Sequence, residues 1–169
     1  MAHVLWWLNI LFPDVRRPQS EARFELVRWK LPRLGWAKLN LEGSTCGNLG
    51  VLGGGGLCRN LEGNILFVFA MGFGEGSSNR AELRAVWFGP SLCLAQGLSR
   101  IEVESDSKVV TNLIGSHSQH NWSRRHWLKR IEDHMTRGSF SLRRIPREEN
   151  IPADSLAHLG SASQMYSFY

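Results

Sequence analysis

The order of strand and helix patterns constrains the fold of this 169-residue chain more than any other feature. Residues 36–41 alternate apolar and polar side chains, as a strand does. Residues 57–60 and 65–70 form an antiparallel hairpin pattern, because turn residues separate them. The later patterns predict strands at 100–105 and 140–145 and helices at 79–98, 107–114, 122–135 and 151–159. The resulting order, β-β-β-α-β-α-α-β-α, predicts an α/β fold in which helices cover a mixed sheet.

The first predicted helix contains a potential break. Asn79 stands where an N-cap is expected, but Gly89 and Pro90 lie inside the apolar helical pattern. Proline in a helix interior costs about 3 kcal/mol and usually bends the helix. We therefore expect a kink at this point, or two shorter helices.

A run of glycines at 53–56 is the one short low-complexity patch in the chain. The sequence around it lacks the GxxxxGK[ST] pattern of a phosphate-binding loop, and no helix pattern follows it. We expect these glycines to permit sharp turns and a close backbone approach between the first two strands.

The chain length suits one domain, which we place at residues 35–160, between a leader at 1–34 and a tail at 161–169. We expect the leader to be poorly ordered or loosely docked. An amphipathic partner-binding segment is the alternative, supported only by Trp6 and Trp7. The apolar run at 4–12 is too short to span a bilayer and lacks the features of a signal peptide. We expect a monomer without membrane association.

Charge and cysteine usage restrict the environment of the protein. The formal net charge of +5 favours polyanionic partners such as nucleic acids, although many basic proteins bind none. Three cysteines without a C-x-x-C pair indicate neither a disulfide framework nor a zinc site. A reducing compartment, nucleus or cytoplasm, fits this pattern best.

Four acidic residues stand near the ends of predicted strands and the starts of predicted helices: Glu42, Glu82, Asp106 and Asp154. Carboxylates suit Mg²⁺ or Mn²⁺, and two such ions about 3.5–4 Å apart can promote phosphodiester hydrolysis. An acidic residue in a first helical turn is, taken alone, usually a partner of the helix dipole. Spacing by itself does not assemble the four into one site.

Four segments resemble motifs of one known family in the expected order. They are WAKLNLEGS at 36–44, SNRAEL at 78–83, IEVESDS at 101–107 and IPREENIPADSLA at 145–157. Together they resemble the ribonuclease H-like domains of plant retroelement-derived proteins. That resemblance implies a five-stranded mixed sheet with helices on both faces. It also implies hydrolysis of the RNA strand of RNA/DNA hybrids with two Mg²⁺ ions, or Mn²⁺ in their place.

The resemblance also implies roles for individual residues. Glu82, Asp106 and Asp154 fall on metal-ligand positions, and Glu42 falls where the family has an aspartate ligand. Contact with the hybrid is implied for the residues near the ribose-reading groove and the phosphate backbone, which are Ser44, Thr45, Asn79, Arg144 and Arg147.

Three departures from the family pattern bear on activity. Glu42 replaces aspartate, and a displacement of about 1 Å in a reacting group can cost about 100-fold in rate. Arg144 replaces a histidine and does not exchange protons near pH 7. Pro90 threatens packing of the first helix. The alternatives are therefore an enzyme with weakened catalysis, an inactive nucleic-acid-binding module and a decayed retroelement fragment.

A basic cluster on the predicted helix at 122–135 has two interpretations. Arg124, Arg125, Lys129 and Arg130 alternate with Trp122 and Trp127. The helix either presents a solvated face with its tryptophans packed on the core, or tracks phosphates beside the metal site. His117 and His120 have no motif that would place them in the site, and we expect exposed loop residues there.

Overall fold

A computed structural model of the chain describes residues 29–46, 50–108, 122–163 and 166–168. The described strands are β1 (Ala37–Cys46), β2 (Val51–Arg59), β3 (Ile65–Glu75), β4 (Arg100–Ser105), β5 (Ser139–Arg144) and β6 (Tyr166–Phe168). The described helices are α1 (Ser78–Ala95), α2 (Trp122–Arg137) and α3 (Ile151–Ser163), and a 3₁₀ turn spans Arg147–Glu149. The helix predicted at 107–114 and the residues His117 and His120 lie largely outside the described residues.

The strands form one mixed sheet in the order β5-β4-β1-β2-β3-β6. β1, β2 and β3 are antiparallel neighbours, as the hairpin pattern predicts, whereas β4 runs parallel to both β1 and β5. The predicted α/β fold with a mixed sheet is confirmed. β6 is an addition to the five predicted strands, because three residues of the predicted tail pair with the edge of β3.

The glycine run at 53–56 lies inside β2, so the expected sharp turns are wrong. Gly53 and Gly55 face α3, and a Cβ atom at either position would collide with the backbone of that helix. Gly54, between them, pairs with Gly43 of β1, where a Cβ would collide with the backbone of α1. Successive strand residues point to opposite faces. α1 and α3 therefore cover opposite faces of the sheet, and the close approach is between sheet and helices.

α1 begins one residue earlier than expected. Ser77, not Asn79, occupies its N-cap position, although the Ser77 side chain makes no capping hydrogen bond. Glu82 is consequently the fifth residue of the helix and lies just beyond the first turn, not within it.

Pro90 does not divide α1, so the alternative of two shorter helices is wrong. Gly89 and Pro90 are both buried, and a Cβ atom at Gly89 would lie only 2.9 Å from Cδ2 of Leu39 in β1. Pro90 lines a small apolar cavity together with Val86. The packing of this segment on the sheet offsets the backbone hydrogen bond that proline cannot donate.

The main apolar core lies between the sheet and α1. It contains buried apolar side chains of the strands, among them Leu39, Leu41, Phe69, Ile101 and Val103. Residues 29–33 belong to the segment at 1–34 that we assign to the leader, and they contact β1 and β4 in the middle of the sheet. Trp29 Nε1 donates to Asn40 Oδ1 at 2.9 Å, and Arg33 Nε donates to Glu102 Oε1 at 2.5 Å. In the described part of the chain, no helix is both long enough and apolar enough to cross a membrane.

Candidate functional site

The topology brings Glu42 and Asp106 to the same edge of the sheet. β1 and β4 are parallel neighbours whose last paired residues are Asn40 and Glu104. Glu42 and Asp106 each lie two residues further along, so they continue the same side of the sheet. Asp106 directly follows β4, as predicted. Glu42 lies within β1, where it pairs with Gly55, and not beyond the end of that strand.

Glu82 joins the other two acids from α1. The absence of a side chain at Gly43 allows the α1 backbone at Glu82 to lie directly against β1. Ser107 Oγ donates to Glu82 Oε2 at 2.6 Å and fixes the carboxylate on the side of Asp106. The charge of Glu82 acts on Glu42, and that of Asp106 acts on Glu82. Three carboxylates from three separate elements therefore form one electrostatic group.

Asn150, directly before α3, links two of these acids. Its side chain is fully buried, and Nδ2 lies 2.9 Å from Asp106 Oδ1 and 3.1 Å from both Glu42 Oε2 and the Leu41 carbonyl. Ser105 Oγ donates a further hydrogen bond to Glu42 Oε2 at 3.2 Å. Because an amide nitrogen carries two hydrogens, its three acceptors share them. Asn150 thus ties β1 and β4 to the start of α3.

Asn150 lies within the last family motif, at 145–157, and the motif resemblance implies no role for it. The available signal was its position in that motif, four residues before Asp154. Its burial and its bonds to Glu42 and Asp106 depend on the packing of α3 against the sheet, which the motif alone does not reveal.

The three acids differ in how firmly they hold a proton. Burial, reinforced by the hydrogen bond and charge of Asp106, raises the pKa of Glu42 to about 9. Burial also raises the pKa of Glu82, against the opposing hydrogen bond from Ser107. For Asp106, burial acts upward, but the hydrogen bonds from Glu42 and Asn150 outweigh it and lower the pKa. At neutral pH the Glu42–Asp106 pair therefore shares one proton, held mainly by Glu42.

Asp154 lies in the first turn of α3, as predicted. Its Oδ2 lies 3.4 Å from Arg147 Nη2, and its Oδ1 lies 3.5 Å from His158 Nδ1. The charge of Arg147 also helps to lower the pKa of Asp106. The Arg147 guanidinium thus contacts Asp154 and acts on Asp106 through its charge.

The residues predicted to contact nucleic acid differ in how exposed they are. Arg144 is exposed, and its Nε donates to the Asp106 carbonyl at 3.2 Å. Asn79 is exposed near the start of α1, and Thr45 is half-buried near the end of β1. Ser44 is buried and paired with Gly53, so it is the least accessible of the set.

The donor chemistry of the site fits a hard divalent cation, because every acidic ligand offers carboxylate oxygens. A cation between Glu42 and Asp106 would favour the ionised forms of both acids. Within the described ranges, however, no three His, Cys, Asp or Glu side chains stand in a ready metal-binding arrangement. Ser107 holds Glu82 and Arg147 holds Asp154, so these two carboxylates would have to turn toward the ion.

Aromatic packing accounts for part of the basic helix α2. The Trp127 ring lies 5.8 Å from that of Trp87 in α1, and the Arg130 guanidinium lies 4.4 Å from the Trp87 ring centre. Trp127 therefore packs between α1 and α2. Lys129 is exposed, and the side chains of Trp122, Arg124 and Arg125 lie outside the described part.

The chain matches one protein family and one curated protein. Residues 40–160 match the reverse transcriptase-like family. An Arabidopsis thaliana protein named as a candidate ribonuclease H is 30% identical over 162 residues, which cover 89% of this chain and 24% of that protein. The chain thus spans about a quarter of the length of this curated relative.

Solved structures agree with the fold. The chain resembles ribonuclease H1 of the archaeon Halobacterium salinarum with a TM-score of 0.71 at 24% identity, covering 76% of this chain and 99% of that one. It resembles LC11-RNase H1, solved with an RNA/DNA hybrid, with a TM-score of 0.69 at 22% identity, covering 75% of this chain and 97% of that one. The chain belongs to the reverse transcriptase-like family and has the ribonuclease H fold.

Proposed function

We propose that the chain is a metal-dependent endonuclease that hydrolyses the RNA strand of RNA/DNA hybrids. The observation that carries the proposal is the meeting of Glu42 and Asp106 on Asn150, with Glu82 beside them. Grouping like charges costs free energy unless a bound cation or a proton offsets their repulsion. Structural ion pairs would use basic partners for this purpose, whereas here a neutral amide bonds two of the acids and a serine hydroxyl bonds the third.

Glu42, Asp106 and Glu82 are the proposed ligands of one Mg²⁺ ion, with Asp106 and Asp154 on a second. Mn²⁺ suits the same oxygen donors. Bound ions of this class activate water and stabilise the leaving oxygen of a phosphodiester. The side chains of this chain supply the rest: Asn150 orients two carboxylates, and release of Asp154 from Arg147 frees a ligand and a phosphate-binding group together.

The hybrid would lie across the exposed residues around the acids. Arg144 and Arg147 are exposed and carry guanidinium groups suited to phosphate oxygens. Asn79 and Thr45 are accessible enough to reach a sugar-phosphate backbone, whereas Ser44 would need a local opening. The LC11 relative is described in complex with an RNA/DNA hybrid, which supports this substrate class. A monomer of plant retroelement origin remains our prediction.

Cleavage of a hybrid with labelled RNA tests the proposal directly. The full chain should cut the RNA strand in Mg²⁺ or Mn²⁺, leave double-stranded DNA intact and lose activity with EDTA. Asp106→Asn keeps the shape of the side chain and removes its charge, so it should reduce the rate by about 100-fold or more. Equal rates for the two proteins, or no cleavage by either, would contradict the proposal.

A hybrid-binding module without catalysis is the second candidate. Two observations favour it: Glu42 replaces aspartate, and Asp154 is engaged by Arg147. In that case the chain binds the hybrid without cutting it in Mg²⁺ or Mn²⁺. Glu42→Asp then separates the causes, because restored cleavage assigns the defect to Glu42 alone, whereas continued inactivity assigns it elsewhere in the site.

A further inference from the structure

A short segment before the matched family region covers the sheet next to the acidic site. We name residues 29–33 the strap. Two of its backbone carbonyls, those of Lys30 and Leu31, accept hydrogen bonds from Lys38 Nζ at 2.7 and 3.5 Å. The Lys38 ammonium also lies 2.9 Å from Glu104 Oε1 and 3.3 Å from Glu102 Oε2. Lys38 is 1% exposed, so the strap completes the partners of a buried charge.

Trp29 anchors the start of the strap on β1. Its Nε1 donates to Asn40 Oδ1 at 2.9 Å, and its ring lies 4.4 Å from the Arg59 guanidinium. Asn40 Nδ2 in turn donates to Glu104 Oε2 at 3.2 Å, and both of these side chains are 1% exposed. A continuous chain of hydrogen bonds therefore runs from the strap through β1 to β4.

Arg33 anchors the other end on β4 and β5. Its Nε donates to Glu102 Oε1 at 2.5 Å, and Nη2 donates to Ser141 Oγ at 3.1 Å. The side chain is 59% exposed, so this anchor can be removed without leaving a cavity. The strap therefore bridges three adjacent strands on the face that carries Glu42.

The position of this network matters because of the strand register. Asn40 and Glu104 are the last residues of β1 and β4 that pair with each other. Two residues beyond them stand Glu42 and Asp106, and past this point the two strands are joined by Asn150. The separation of the two carboxylates thus depends on a residue pair that the strap holds in place.

We propose that the strap positions Glu42 and Asp106 for divalent-cation binding by fixing the Asn40–Glu104 pair. This inference rests on the proposed function, since it concerns the same acids. It assigns a role to residues that lie before the region matched to the family, which begins at residue 40. Trp29 and Arg33 are positioning residues and touch neither the cation nor the substrate.

The experiment compares Mn²⁺ affinity with folding stability in the full chain. Trp29→Phe keeps an aromatic ring and removes the hydrogen bond to Asn40, and should raise the Mn²⁺ Kd by about two- to tenfold. Trp36→Phe is the matched control, because the Trp36 ring packs on the Arg33 guanidinium at 4.0 Å and phenylalanine keeps an aromatic ring there. This control should keep the wild-type Kd. A purely structural strap would lower the melting temperature without changing the Kd.

Arg33→Gln provides a second variant if Trp29→Phe does not fold. It releases the exposed end of the strap and should raise the Mn²⁺ Kd by about two- to threefold. Wild-type affinity in both strap variants, or equal weakening in Trp36→Phe, would overturn the strap proposal alone. A wild-type chain that binds no Mn²⁺ would overturn the proposed function and the strap proposal together.

Discussion

At the scale of single residues, Glu42 is a buried carboxylate beside a second acid, so its negative charge needs a balancing positive charge. Its side chain is 6% exposed, lies beside Asp106 and accepts hydrogen bonds from Ser105 and Asn150. Neutral donors of this kind orient a carboxylate without balancing its charge. The group must therefore keep a proton or bind a cation, and each outcome is measurable.

The pH dependence of stability tests this account of Glu42. Its pKa is raised from 4.5 to about 9, so the folded chain binds this proton more tightly than the unfolded chain. Stability from this source is complete below pH 4.5 and is lost as the pH rises toward 9. In EDTA, Glu42→Gln should therefore become more stable than wild type across that interval, by about a few kcal/mol at pH 8.

Urea unfolding at a series of pH values measures the effect of Glu42→Gln. Mg²⁺ should stabilise the wild type near pH 8 and have little effect on the variant, because glutamine does not replace the carboxylate ligand. Parallel stability curves for wild type and Glu42→Gln between pH 5 and 9 would show that Glu42 is ionised in the folded chain without metal.

Asn150 gives a second prediction at the residue scale. Asn150→Ala removes the shared donor of Asp106, Glu42 and the Leu41 carbonyl, all of them buried or partly buried. Unfolding free energy should fall by about 2–4 kcal/mol in EDTA. The exposed Asn64→Ala serves as control and should change it by less than about 0.5 kcal/mol. Equal losses in the two variants would contradict the bridging role of Asn150.

At the scale of secondary-structure elements, the glycines of β2 decide how closely α3 approaches the sheet. Gly53 and Gly55 sit where any Cβ atom would collide with the α3 backbone. Asn150 and Asp154 stand before and within the first turn of that helix. The position of α3 thus controls whether Asn150 reaches Glu42 and Asp106.

Gly55→Ala tests this dependence. The added methyl group meets the backbone of α3, which does not rotate away, so we expect a loss of about 3 kcal/mol and weaker Mn²⁺ binding. Gly54→Ala is the matched control on the opposite face, where the methyl group meets the Phe73 ring instead. That ring can shift, so its loss should be smaller and its Mn²⁺ affinity unchanged. Equal Mn²⁺ affinities in Gly55→Ala and Gly54→Ala would show that the position of α3 does not affect cation binding at the acidic site.

Several elements show what the sequence predicts and where it misleads. The strand at 100–105 is confirmed at both ends, because its alternating β-branched pattern is local. The glycine run was expected to turn, since glycine is a turn signal, and its role in β2 depends on helices that are remote in sequence. Polar alternation at Lys38 and Asn40 gives no hint of burial, which arises from Glu104 and the strap.

The candidate site shows the same contrast between residues that local motifs predict and contacts that depend on the fold. Motif resemblance identified Glu42, Glu82 and Asp106, and the structure brings these three together. The pairing of Asp154 with Arg147 and the bridging by Asn150 depend on how the turn before α3 packs. Such contacts join residues from elements far apart in the chain, and local patterns do not encode them.

At the scale of the whole molecule, different elements cover the two faces of the sheet. α1 and the apolar core cover one face of the sheet, while α3 and the strap share the other face, which carries Glu42. The net charge of +5 over the whole chain has the sign that favours a polyanionic partner. The chain covers about a quarter of the length of its curated relative.

Anomalous diffraction from crystals soaked in Mn²⁺ tests the central claim most directly, because it locates the ion without depending on activity. We predict a peak about 2.0–2.2 Å from carboxylate oxygens of Glu42 and Asp106, with Glu82 turned from Ser107 toward the ion. Asp106→Asn crystals soaked in the same way should lose that peak. A well-ordered site with no anomalous density at Glu42 and Asp106, or with Mn²⁺ held elsewhere, would contradict the account.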